Sequence, residues 1–182
     1  MVNDQDPLFI EPANEADIAA LVQLHADVAA ALTEAHGKGP WSRCHSDRAI
    51  IRGLRESHMF VGRRNGQIEG TFRLAKRKPW AIDPAFFTPV AKPLYLLDMA
   101  VRPDVQRRGI GKALLAFAAA FASQGSFDCI RLDAYDAQAG AGGFYSKCGM
   151  ACRGHRTYRS TPLVYFEILI RPESAVSVTS QP

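Results

Sequence analysis

The residues best suited to chemistry lie in the run Gln106-Arg107-Arg108-Gly109-Ile110-Gly111-Lys112. It follows an apolar segment, Leu94 to Val101, that is suited to a strand, and it precedes an apolar-faced helix predicted to begin near Lys112. A strand, a glycine-containing turn and a helix N-terminus together make an anion site. The first N–H groups of a helix lack intrahelical acceptors, and that end of the helix dipole is positive. Gly109 and Gly111 allow backbone to approach a ligand because no Cβ intervenes. Arg107, Arg108 and Lys112 add positive charge, so the expected ligand carries phosphate. Two familiar phosphate patterns fail. A P-loop needs Gly where Gln106 stands and Ser or Thr where Ala113 stands, and the dinucleotide fingerprint needs Gly at Leu114.

Around this turn the chain reads as alternating strands and helices. Leu8 to Glu11 is a short strand. Asn14 caps a helix with Asp17 in the reciprocal position, and that helix carries Ile18, Leu21, Leu24 and Val28 at helical spacing until Gly37 to Pro40 break it. A second helix starts at Ser46 or Asp47. Met59–Arg64 and Gln67–Leu74 flank Asn65-Gly66, a two-residue hairpin signal. Leu114, Leu115, Phe117, Ala118, Phe121 and Ala122 give the helix after the glycine turn one apolar face, and Gly125 is the expected C′ stop. Cys129 to Tyr135 reads as a strand, 137–147 as a glycine-weakened helix, and Ala151–Arg159 and Leu163–Ile170 as closing strands. The order is β-α-α-β-β-β-α-β-α-β-β. Residues 76–93 hold four prolines with Trp80, Phe86 and Phe87. This loop reads equally as a substrate lid or dimer contact and as a segment tucking its aromatics under the core.

The strand, the turn and a second block, AGGFYSKCGM at Ala141 to Met150, together resemble the GNAT superfamily of acyl-CoA-dependent N-acetyltransferases. The detailed likeness spans roughly 94–150. It implies an α/β (α+β) fold, GNAT-like, with a mixed central sheet of about seven strands flanked by about four helices. It also implies acetyl-CoA as acyl donor, with no metal. The Gln106–Lys112 turn, including Ile110, would grip the pyrophosphate. The backbone at Met99, Ala100 and Val101 would meet the pantetheine arm and thioester. Tyr145 matches a tyrosine often found next to the CoA sulfur. Asp98 matches an acidic position on the central strand, where it is either a base acting through water or a carboxylate tied structurally, since a buried carboxylate needs a partner. Where the family often has Asn, this chain has Gln138, which can still hydrogen-bond but with different reach. Glu69, Asp133, His155 and Glu167 are minor base candidates. His25, His36, His45 and His58 read as structural or surface residues.

Composition bounds the rest. At 182 residues, 47% hydrophobic and 22% charged, one globular domain over 1–171 is expected, with 172–182 as a loose tail. The net charge of +4 suits a polyanionic ligand, and no long basic run with interleaved aromatics argues for nucleic acid. Cys44, Cys129, Cys148 and Cys152 form no C-x-x-C pair, so buried or reduced thiols are expected and a zinc site is not. No secretory signal opens the chain and no apolar run reaches membrane-spanning length, so the expectation is a soluble cytoplasmic protein without a membrane partner. The expected activity is acetyl transfer to a primary amine of a small molecule or protein. The alternatives are a non-catalytic acyl-CoA-binding or sensing module and an O-acyl or longer-acyl transferase on the same fold. A homodimer is compatible with either.

Overall fold

A computed structural model describes residues 6–170. The segment 172–182, expected as a tail, lies outside the described residues. Seven strands form one sheet in the order β1-β2-β3-β4-β5-β7-β6. They are β1 (Phe9–Pro12), β2 (His58–Arg64), β3 (Gln67–Ala75), β4 (Pro93–Val101), β5 (Cys129–Tyr135), β6 (Ala151–Tyr158) and β7 (Thr161–Leu169). Four helices accompany them: α1 (Ile18–His36), α2 (Asp47–Glu56), α3 (Ile110–Gln124) and α4 (Gly142–Lys147). The fold is the expected seven-stranded mixed sheet with four helices, and the order of elements is the one read from the sequence.

The sheet is covered on both faces. Along β2, Phe60 joins a core with Leu114, Leu115 and Ala118 of α3, whereas Met59 and Val61 join a core with Leu21 and Leu24 of α1 and Ile50 of α2. Alternate residues of a strand point to opposite faces, so α1 and α2 lie on one side and α3 on the other. Gly62 and Gly70 sit opposite each other on β2 and β3. A Cβ on Gly70 would stand 2.8 Å from Leu114 and one on Gly62 3.2 Å from it. The paired glycines therefore leave a depression that draws α3 close to the sheet.

The helix ends follow local chemistry. Asn14 accepts from the Ala16 N–H at 2.9 Å, and Asp17 accepts from the Asn14 N–H at 3.0 Å, which closes a reciprocal cap. The cap opens a short 3-10 turn, Glu15–Asp17, and α1 proper follows at Ile18. The combined segment Glu15–His36 is long and apolar enough by composition to cross a membrane, which corrects the expectation that no run reaches that length. Here its apolar face packs on the sheet through Leu21, Leu24 and Ala29. Gly125 caps α3 with φ −80, and the left-handed residue is Ser126 (φ 54), not the glycine. A Cβ at Gly125 would press on the Phe127 ring at 2.6 Å, so close packing selects glycine there. The expected helix over 137–147 is shorter. It starts at Gly142 because the preceding residues turn so tightly that a Cβ on Gly140 would lie 1.8 Å from the Tyr135 carbonyl oxygen.

The 76–93 loop tucks its aromatics in. Phe87 joins Ile82, Tyr95, Leu163 and Tyr165 in a third core, and Phe86 packs edge-on to Tyr165 over Gly154. Only Trp80, 84% exposed, stands out. Thr88 pins the loop to Glu167, whose carboxylate accepts from the Thr88 hydroxyl at 2.7 Å, from Arg131 Nε at 2.9 Å and from Arg153 at 2.7 Å. Burial alone would push the Glu167 carboxyl up. The hydrogen bonds from Thr88 and Arg131 outweigh it and hold the carboxyl below its usual range. Removing one partner from a buried ion network leaves the others unpaired, at a cost of about 3–5 kcal/mol. Glu167→Ala is therefore expected to lose that much in urea unfolding and to expose the 76–93 loop to protease. A loss under about 1 kcal/mol would contradict this anchoring.

Candidate functional site

Five of the six strand pairings are antiparallel, and the exception creates the site. β4 and β5 run parallel and pair only from Pro93↔Cys129 to Tyr95↔Arg131. Beyond Tyr95 the two strands part. On the other edge of β4, Thr71 of β3 faces Ala100 and Arg73 faces Leu97, so Asp98 and Met99 together oppose Phe72 alone. This is a β-bulge. Asp98 adopts φ 49, a left-handed conformation that Asp tolerates better than most side chains. Its carboxylate is tied to Arg73 Nε at 2.5 Å. The bulge turns the end of β4 away from β5 and leaves its β5-facing backbone without a strand partner.

Two cavities meet at this gap. One, of about 600 Å³, runs from the end of β4 to the start of α3 and α4. The other, of about 440 Å³, lies between α1, the segment after it, and the β4 and β5 ends. Both are lined by Met99, Ala100 and Tyr145, together with Val28 and Leu32 of α1. The cavities therefore meet at the bulge.

The larger cavity ends on the glycine turn. Gly109 has φ 84 and Arg107 φ 63, and α3 begins at Ile110, two residues before the expected Lys112. The Ala113 N–H bonds the Gly109 carbonyl at 3.0 Å, so the preceding amides of Ile110, Gly111 and Lys112 are the unpartnered helix donors. Arg107, Lys112 and Lys147 bring positive charge to the cavity wall, while Val28, Leu32 and Phe144 make the rest apolar. A ligand with a phosphate-bearing end and a slender apolar arm fits this combination. Among the residues expected to contact it, Met99, Ala100, Val101, Gln106, Arg107, Gly109, Gly111, Lys112 and Tyr145 line the cavity. Gln106 also donates to the Val101 carbonyl at 3.0 Å, bracing the turn against β4. Arg108 turns toward the Asp104 carbonyl, the Ile110 side chain is buried in the core, and Gln138 lines neither cavity.

The smaller cavity gathers residues from distant parts of the chain: His25, Trp41, Arg43, His45, Asp98, Asp133 and Tyr135. His25 and His45, set aside in the sequence, stack with centroids 4.1 Å apart. Asp133 is half-buried on β5, and burial, reinforced by the nearby Asp98 charge, raises its pKa above the usual carboxylate range. Tyr145 is 7% exposed, and burial raises its pKa, so its hydroxyl stays protonated at neutral pH. That hydroxyl lies 3.8 Å from Met99 Sδ. The other base candidates are elsewhere. Glu69 is buried beside Arg64, His155 pairs with Asp136 on the surface at 2.6 Å, and Glu167 anchors the loop. Cys148 lines the larger cavity. All four cysteines are free, as the expectation of buried or reduced thiols has it, with Cys129 buried and Cys44 and Cys152 exposed.

Burial, and then the neighbouring His45, lower the His25 pKa from 6.5 to about 4, with Arg73 adding to the shift and Asp98 opposing it. The folded state thus favours the neutral ring, while the unfolded chain takes up a proton below about pH 6.5. Stability from this residue is complete above that pH and is lost as pH falls toward 4, in total about 3 kcal/mol at about 1.4 kcal/mol per pH unit. His25→Leu should accordingly flatten the fall in unfolding free energy between pH 6.5 and 4. Parallel profiles for the two proteins would contradict a buried neutral His25.

Comparison with known proteins agrees with this architecture. The model of the acetyltransferase (GNAT) family matches residues 22–150. No curated protein sequence matches the chain. Among solved structures, the ribosomal-protein-S18-alanine N-acetyltransferase from Escherichia coli superposes with a TM-score of 0.68 at 16% identity, covering 94% of this chain and 99% of its own. The PaiA N-acetyltransferase from Thermoplasma acidophilum, solved in complex with coenzyme A, gives 0.66 at 15%, covering 87% and 98%. The putative acetyltransferase YncA from Salmonella typhimurium, solved with acetyl-CoA, gives 0.64 at 16%, covering 94% and 99%. With the parted strands, the glycine turn and a family match over most of its length, this chain belongs to the GNAT acetyltransferase family.

Proposed function

We propose that this protein transfers an acetyl group from acetyl-CoA directly to a primary amine. The observation that carries the proposal is the meeting of two cavities at Met99, Ala100 and Tyr145. A module that only binds or senses acyl-CoA has no use for the second cavity. An acyl-enzyme route needs an activated nucleophile at the junction; Met99, Ala100 and a tyrosine of raised pKa supply none, and the free Cys148 lines the larger cavity alone.

Acetyl-CoA, when bound, supplies the acetyl group as a thioester. Arg107, Lys112, Lys147 and the α3 amides hold its phosphates. The unpaired backbone of β4 near Met99 provides N–H donors for the negative charge that develops on the carbonyl oxygen. Tyr145, kept protonated by burial, donates a proton to the departing thiolate. The amine must lose its own proton before it attacks. Two carboxylates face it. Asp98 is committed to Arg73, which assigns it to holding the bulge. Asp133 has no ion-pair partner among the described residues and its pKa is raised, so it is the better base.

Tyr145→Phe is expected to lower kcat about 10²-fold with acetyl-CoA affinity unchanged, read by free-thiol release over an amine panel. Asp133→Asn should lower kcat/KM about 10²–10⁴-fold near neutral pH and recover in part at high pH, where the amine deprotonates unaided. An Asp133→Asn rate within twofold of wild type would place the base elsewhere, with Asp98 acting through water as the next candidate.

A further inference from the structure

The smaller cavity carries charges that its own residues do not neutralise. Asp98 is paired with Arg73, and His25 is neutral above about pH 4. Two charged side chains of opposite sign remain, Asp133 and Arg43. Neither has an ion-pair partner among the described residues. They flank the same side chain, Tyr135. Asp133 is two residues before it on β5, about 7 Å along the strand; burial raises the Tyr135 pKa, the Asp133 charge adds to that rise and Arg43 opposes it.

Arg43 is exposed at the cavity rim, but the backbone that carries it is held. Trp41 Nε1 donates to the Gly37 carbonyl at 3.0 Å, the Thr33 and Ser42 hydroxyls are 2.7 Å apart, and the Trp41 ring packs edge-on to Tyr135 at 5.9 Å. The guanidinium and the Asp133 carboxylate form no ion pair with each other, yet both line one cavity. A short ligand with an ammonium at one end and an anion at the other would neutralise both.

We infer that the acceptor is a small zwitterion, an amino acid or close analogue, whose amine is held by Asp133 and whose carboxylate is held by Arg43. This rests on the acetyl-transfer reading and narrows it to one substrate class. Val28, Ala29, Leu32 and Trp41 line the same cavity and favour an apolar side chain. A guanidinium suits a carboxylate, which it can bind in a bidentate fork. A peptide N-terminus offers a neutral carbonyl at that point and leaves Arg43 unmatched, and a polyamine places a second cation against it.

The test measures free-thiol release by the full chain with acetyl-CoA and matched acceptors: leucine and phenylalanine, their C-terminal amides, and the corresponding decarboxylated amines. The amides carry the more readily deprotonated amine, so a preference for the acids cannot come from intrinsic nucleophilicity. The free acids are expected to exceed the amides by about tenfold or more in kcat/KM. In R43A that ratio should fall to within about twofold, and R43K should retain part of it. An unchanged CoA-induced thermal shift checks that R43A is folded. Equal or better use of the amides, or a ratio unaffected in R43A, overturns the inference. Amines turned over while both acids are refused overturn the inference alone. If CoA shifts the melting temperature but no acceptor of any class is acetylated, the transfer reading falls with it.

Discussion

The ion pair between Arg73 and Asp98 fixes the point on which the rest of the site depends. Asp98 occupies a left-handed conformation inside a strand, and that one residue converts regular pairing into a bulge. A strand that bends there cannot keep its register with both neighbours. β4 keeps β3 and gives up β5 after Tyr95. The gap between β4 and β5 is thus a consequence of backbone geometry, and the side chains around it need only line a space that already exists. Arg73 comes from β3, so the same contact holds the bulge to the strand that remains paired.

Everything on either side of the gap is positioned by packing against the sheet. Gly62 and Gly70 let α3 settle close through Leu114, which brings its N-terminal amides to the end of β4. On the opposite face α1 places Val28 and Leu32 over both cavities and His25 beside the bulge. The larger cavity is cationic at the glycine turn, the junction is lined by Met99, Ala100 and Tyr145, and the smaller cavity is polar with opposed charges. Burial does much of the chemical tuning. It keeps Tyr145 protonated, keeps His25 neutral and raises Asp133.

The order of strands and helices and the glycine turn were readable in the sequence because their determinants are local. Gly109 and Gly111 precede an apolar helical face, Asn65-Gly66 takes positive φ at both positions as a two-residue hairpin requires, and Asn14 with Asp17 closes its cap within three residues. The smaller cavity was not readable. Arg43, His25 and Asp133 are brought together only by the docking of α1 on the sheet, and no spacing along the chain announces it. The bulge left one trace, an aspartate within LYLLDMAV, but its register depends on β3. The turn Arg159-Ser160 has positive φ at both residues without a glycine or asparagine to signal it. The shortened α4 reflects a tertiary contact, Gly140 against the Tyr135 carbonyl, where composition alone suggested a longer, weaker helix.

A crystal structure of the protein with coenzyme A tests the central claim most directly. The account predicts the pyrophosphate on the amides of residues 109–112, the pantetheine arm along β4 past Ala100, and the sulfur at the junction beside Met99, within hydrogen-bonding reach of the Tyr145 hydroxyl or one water from it. A pyrophosphate bound away from the glycine turn, or a thiol directed away from the gap between β4 and β5, would contradict it.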